Sequence, residues 1–153
     1  MPRFNHMELT LPQGALDAGG LRDEIRRFYG EVFGFQAIDT FIVGQNALLL
    51  ATDPEVSQFI LLTQMKEPMH SPSYDHLGFL YDSRSEVDLL LEKCRKFQAQ
   101  DARVQIKTYD DLDTGAMLVH AFYVKYLLPI WFDVQCFDYK PGAARPPRAW
   151  RYS

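Results

Sequence analysis

Two short stretches place a histidine in the same setting. Residues 4–7 read Phe-Asn-His-Met and residues 74–77 read Tyr-Asp-His-Leu: aromatic, short polar, histidine, aliphatic. Neutral imidazole ligates metals, and near pH 7 it gives and takes protons. A lone histidine at the start of an apolar strand is most simply a core residue making one hydrogen bond. His6 and His76 are not alone in that sense, because each opens an equivalent stretch. Duplication at matched positions points to shared chemistry.

The elements that carry them repeat as well. Around His6, Met7, Leu9 and Leu11 point one way while Phe4, His6, Glu8 and Thr10 point the other, the two-residue period of a strand. Leu21, Ile25, Phe28 and Val32 follow at helical spacing, with Gly34 placed to end the helix. Strands are expected near 35–42, 47–51 and 58–63. A proline-containing linker over 65–73 precedes a second round. Leu77, Phe79 and Tyr81 give an apolar strand face; Val87, Leu90, Leu91, Cys94 and Phe97 give a helix face, with Ser85 as the expected N-cap; strands are expected near 102–109, 116–126 and 130–137. The chain reads as two βαβββ modules, 4–64 and 74–138, in one α+β domain over 4–138. Packed edge to edge around a pseudo-twofold axis, the modules would bring the histidines close together.

Composition narrows the rest. With 153 residues, 47% of them hydrophobic, the chain can bury a proper core. A net charge of −4 argues against a nucleic-acid partner, and no apolar run is long enough to span a membrane. There is no signal-peptide pattern, and Cys94 and Cys136 fall on apolar faces as free buried thiols; a cytoplasmic protein is expected. Residues 139–153 form a basic, proline-containing tail, expected to be an extended arm that is loose or draped on the surface; the alternative is that Trp150 and Tyr152 dock on a partner subunit, and in a dimer the arm would lie near the partner.

This order of elements, with histidines on both first strands, resembles the vicinal oxygen chelate superfamily, which includes glyoxalase I, extradiol dioxygenases, and the fosfomycin- and bleomycin-resistance proteins. The likeness is carried by the stretches at 27–35 (RFYGEVFGF) and 75–93 (DHLGFLYDSRSEVDLLLEK) and covers about 4–138. It implies a cupped eight-stranded sheet with helices outside, and often a divalent metal in the cup. The family's last strand usually supplies a glutamate ligand. Here that strand has Ile130, Phe132, Val134 and Cys136 on its apolar side, so Trp131, Asp133 and Gln135 face the cup, and Asp133 matches the glutamate position with a shorter side chain. His6, His76 and Asp133 would form a two-imidazole, one-carboxylate set suited to Fe, Mn or Zn.

The departures from the family pattern matter. The strand near 58–64 holds no acid, which disfavours a four-ligand glyoxalase I site. His120 and Tyr123 echo the order seen before the last ligand of extradiol dioxygenases, where they would serve as proton shuttle and hydrogen-bond donor; each is equally an ordinary residue of an amphipathic strand. Phe4, Glu8, Tyr74, Trp131 and Gln135 would line a substrate pocket. The expected function is a small-molecule metalloenzyme of dioxygenase or lyase/isomerase type; the alternative is a metal-free binding protein of bleomycin-resistance type. A homodimer is expected, with the cup closed either within one chain or across two.

Overall fold

The chain was analysed as a computed structural model that describes residues 4–145. The tail positions Trp150 and Tyr152 lie outside the described residues. Each helix forms where the spacing foresees it. In α1 (Arg22–Phe33), Ile25, Phe28, Tyr29 and Val32 are buried on one face. Gly34, at φ 73°, ends it: its N–H donates to the Gly30 carbonyl at 3.0 Å and that of Phe35 to the Tyr29 carbonyl at 3.2 Å. In α2 (Arg84–Gln98) the N-cap is Ser83 rather than Ser85. Ser83 is extended, its hydroxyl oxygen accepts from the Glu86 N–H at 3.3 Å, and the Glu86 carboxylate accepts from that hydroxyl at 2.8 Å. This reciprocal pairing needs an acid three residues after the cap, which Ser83 has in Glu86.

The strands divide into two sheets of the same order. β1 (His6–Pro12), β2 (Gln36–Ile42), β3 (Gln45–Ala51) and β4 (Phe59–Met65) run β1-β4-β3-β2, with β1 parallel to β4 and the other pairs antiparallel. β5 (His76–Leu80), β6 (Gln105–Thr108), β8 (Met117–Lys125) and β9 (Trp131–Tyr139) run β5-β9-β8-β6, with β5 parallel to β9; β7 (Leu112–Asp113) adds a short fifth strand on β8. The duplication therefore holds strand for strand. β6 is shorter than the expected 102–109, because the chain leaving α2 turns at Asp101 and buries Val104 before the ladder begins.

One core joins the modules. α1 and α2 pack on each other and cover one face of each sheet. Aromatic rings cross the boundary: Phe28 lies 5.2 Å from Phe97 and 4.6 Å from Tyr126, and Tyr29 lies 5.1 Å from Phe132. Tyr29 also donates its hydroxyl to the Tyr126 carbonyl at 2.8 Å, so its polar tip is satisfied in the interior. Each such fully buried large side chain contributes on the order of 1.5–3 kcal/mol by area removed from water.

Two consequences bear on function. β1 and β5, the strands that open with the histidines, are both sheet edges and, among the described residues, pair on one side only. And the sheet faces turned away from the helices carry the polar residues of the alternation, including His6, Glu8 and Thr10 on β1 and His76 and Gly78 on β5. Among the described residues no helix is long and apolar enough to cross a membrane.

Candidate functional site

The second sheet brings together His76, Asp133 and Tyr123. β5 pairs with β9 so that His76 sits beside Trp131 and Gly78 beside Asp133; β8 pairs with β9 so that Tyr123 sits beside Asp133. His76 Nε2 is 3.8 Å from Asp133 Oδ2, and the Tyr123 ring centre is 5.0 Å from that of His76. Two donors each about 2.0–2.2 Å from one ion can be at most about 4.4 Å apart, so the observed separation fits shared ligation.

The protonation pattern fits as well. His76 Nδ1 lies 2.8 Å from the Tyr74 carbonyl, which can only accept, so Nδ1 carries a proton, and in the neutral imidazole the Nε2 lone pair turns toward Asp133 Oδ2. Asp133 is 7% exposed and its Oδ1 is buried without a hydrogen-bond partner. Burial pushes its carboxyl above the usual range, and His76 opposes this. A buried carboxylate facing a lone pair needs a cation or a proton between them. A divalent ion satisfies both groups; these two residues fit one.

His6 repeats the pattern in the other sheet. Its Nδ1 lies 2.8 Å from Asn5 Oδ1, while Asn5 Nδ2 donates to the Ser57 carbonyl at 2.9 Å, which fixes the amide so that oxygen faces the ring. Nε2 of His6 is again left as the lone-pair nitrogen. Its ring stacks on Phe59, 5.0 Å away at 5°. The position equivalent to Asp133 is Leu61, beside Glu8 as Asp133 is beside Gly78, so the first module has no matching acid. One chain does not draw His6 in with His76 and Asp133: among the described residues no three His, Cys, Asp or Glu side chains gather where they could hold a metal.

The remaining expected residues separate into three places. Tyr74 and Trp131 join the site: their rings are 5.4 Å apart, and Trp131 donates its indole N–H to the Ser73 carbonyl at 3.2 Å, pinning the segment that orients His76. Gln135 shares their face, its Nε2 3.4 Å from where a Cβ on Gly78 would stand. Glu8 accepts from the Thr63 hydroxyl at 2.6 Å on the first sheet. Phe4 lines a separate groove of about 760 Å³ with Phe35, Phe59, Gly78 and Leu80.

His120 is placed away from the cup. It pairs with Cys136 on the helix side of β8, whereas Tyr123, three residues on, faces Asp133. Its Nε2 lies 2.8 Å from Asp88 Oδ1 and its Nδ1 2.9 Å from Asp111 Oδ1. Arg84 pairs with Asp111 and Asp138 in the same cluster, and this holds the Asp111 carboxyl down at about 2, the arginine first and His120 second. A proton shuttle into the cup from there is not what the geometry offers.

Lys107 is a site residue that the sequence reading did not single out. It pairs with Tyr123 across β6 and β8, and its Nζ lies 3.9 Å from the Tyr74 ring centre and 5.1 Å from that of Tyr109. The signal was available: a lysine two residues before Tyr109 shares its strand face. Tyr123 itself titrates above the ordinary tyrosine range, through burial first and Asp133 second.

Comparison with known proteins agrees with this fold. The family model for the glyoxalase/bleomycin resistance protein/dioxygenase superfamily matches residues 22–116. Solved structures with a similar fold include the fosfomycin resistance protein FosX from Listeria monocytogenes, complexed with Mn(II) and sulfate (15% identity over 89% of this chain and 90% of that one, TM-score 0.60). Others are an integron cassette protein from V. cholerae (17%, 89% and 95%, 0.54) and the virulence protein STM3117 from Salmonella typhimurium (17%, 90% and 98%, 0.55). No curated protein sequence matches. At these identities the structures speak to the fold, and the match over most of the sequence speaks to descent: the chain belongs to the glyoxalase/bleomycin resistance protein/dioxygenase superfamily.

Proposed function

We propose that this protein is a metal-dependent enzyme acting on a small molecule with two neighbouring oxygens, and that its site is completed between two copies of the chain. The observation that carries the reading is Asp133: a buried carboxylate whose Oδ1 has no hydrogen-bond partner and whose Oδ2 lies 3.8 Å from Nε2 of His76. His76 and Asp133 would hold the ion, with His6 of a second copy as third ligand. The edges of β1 and β5 support this assembly, since each opens with one of the histidines and has no second neighbour among the described residues. The structural relative FosX was solved with Mn(II), and a variant of it with Mn(II) and 1S,2S-dihydroxypropylphosphonic acid; a divalent ion of that kind is the expected cofactor here.

A bound divalent ion supplies Lewis-acid polarisation of the substrate's oxygens. The chain's own residues do the rest. Tyr123 presents a protonated hydroxyl beside the pair and donates a hydrogen bond to a developing oxyanion. Trp131, Tyr74 and Tyr123 wall the site with aromatic surface and exclude water from Asp133.

A second reading is metal-free capture of a small ligand on this aromatic face. It is favoured by the gathering of only two of the three ligands in one chain. One experiment separates them: Mn(II) titration by calorimetry of the wild type, His6→Ala, Asp133→Ala and an unfolded-and-refolded mixture of the two variants. A composite site loses binding in each variant and regains about a quarter of the sites in the mixture, because half the dimers are mixed and each holds one intact site. Absence of Mn(II), Fe(II) and Zn(II) binding in the wild type supports the second reading.

A further inference from the structure

Lys107 stands in one row with the candidate ligands. Hydrogen-bond register runs Lys107 to Tyr123 to Asp133 to Gly78 across β6, β8, β9 and β5. At a strand spacing of about 4.8 Å, Lys107 and Asp133 are anchored roughly 10 Å apart, the reach of a small molecule bearing a charged group at one end. Three other basic residues of this half of the chain are held by carboxylates. Arg84 is paired with Asp111 and Asp138, Arg103 with Glu24 and Asp101, and Lys140 with Asp113. At Lys107 the groups that act on the charge are Tyr74 and Tyr109, whose side-chain hydrogen bonds raise its pKa, with no carboxylate among them.

A lysine on a flexible stem is ordinarily a mobile point charge. Here two aromatic faces hold the ammonium over the open sheet. An ammonium has three N–H donors, and with two turned to the tyrosines one remains for a ligand. Asp133, two strands away, would repel an anion entering alone, and a fixed cation on the far side of Tyr123 offsets that repulsion.

We propose that Lys107, framed by Tyr74 and Tyr109, is the residue by which this site selects substrates carrying an oxyanion, a carboxylate or phosphoryl group, opposite the two oxygens that meet the ion. The selection rests on the metal reading above for its second anchor, but not for the oxyanion contact itself.

The test compares two ligands that differ by one carboxylate: catechol and 3,4-dihydroxybenzoate, titrated under argon into Mn(II)-loaded full-length protein. The wild type should prefer the carboxylate by about tenfold, the size of one solvent-accessible charge-assisted hydrogen bond. Lys107→Gln should abolish the preference while leaving Mn(II) affinity, catechol affinity and the thermal midpoint unchanged; Lys96→Gln on α2, an equal change in net charge, should leave the preference intact. A Lys107→Gln protein that keeps the preference, or a wild type without one, overturns the proposal. If the wild type takes up no metal, the enzyme reading fails separately. In that case inorganic phosphate is titrated into the metal-free chain and followed by amide shifts. Saturable shifts at 74, 107 and 109 that vanish in Lys107→Gln uphold the oxyanion site, and their absence overturns it.

Discussion

The Nδ1–H of His76 donates to the backbone carbonyl of Tyr74 at 2.8 Å, and the ring of that same residue carries Lys107. The imidazole is thus oriented by the residue two positions before it. His6 is oriented by its own neighbour, Asn5, through a side-chain oxygen instead of a backbone one. That difference makes one of the two orientations removable by mutation.

Asn5→Ala removes the acceptor that holds His6 Nδ1–H. Loss of such a partner behind a ligating histidine typically costs 10- to 100-fold in metal affinity. We expect about a tenfold weakening of Mn(II) binding by calorimetry, with little change in thermal midpoint, because Asn5 and His6 are both exposed.

Asp133→Asn separates affinity from stability. The Asp133 carboxyl titrates above its unfolded value near 3.9, so its contribution to stability is present below that value and lost as pH rises through the folded pKa. At pH 7 without metal the asparagine variant should therefore be the more stable of the two. With Mn(II) at about a hundred times its dissociation constant, the wild type gains about 2.7 kcal/mol and the order inverts. Thermal melts with and without metal read both.

The cluster of Arg84, Asp111 and His120 has the opposite sign. Asp111 is depressed to about 2, so its contribution is present above about 3.9 and lost as pH falls toward 2. Arg84→Gln should lower stability at pH 7 by under about 1 kcal/mol, since the group is partly exposed, and the difference should close near pH 2. His120→Gln should leave Mn(II) affinity unchanged, as its position on the helix side of β8 requires.

Val43 sits at φ 49° in the β2–β3 turn, followed by Gly44 at φ 77°. A β-branched residue pays for that left-handed conformation, and at 92% exposure it has no packing to lose. Val43→Asn should raise stability by about 1 kcal/mol in chemical denaturation.

How far the sequence spoke depends on the period involved. Strand alternation put His6, His76, Trp131 and Asp133 on the faces they occupy, because a two-residue period has no slack. The same rule, applied to positions 120 and 123, sends them to opposite sides of β8, whatever order their types share with extradiol dioxygenases. Ser83 and Ser85 both precede the helix, and the acid three residues after the first decides between them. Beside Lys107 only Tyr109 is near in sequence; Tyr74 and Tyr123 come from separate segments, which no local pattern joins. Whether His6 meets His76 of its own chain is beyond any spacing argument, since the choice lies between copies.

Leu61, where the second module has Asp133, gives the duplicated scaffold a handedness. A ligand turned end for end in the proposed composite cup would set its oxygens against leucine instead of aspartate and its charge away from Lys107. The pseudo-twofold that built the cup is therefore no symmetry for the molecule inside it. A prochiral substrate would expose a single face to the residues around Tyr123, and its product would form as one enantiomer.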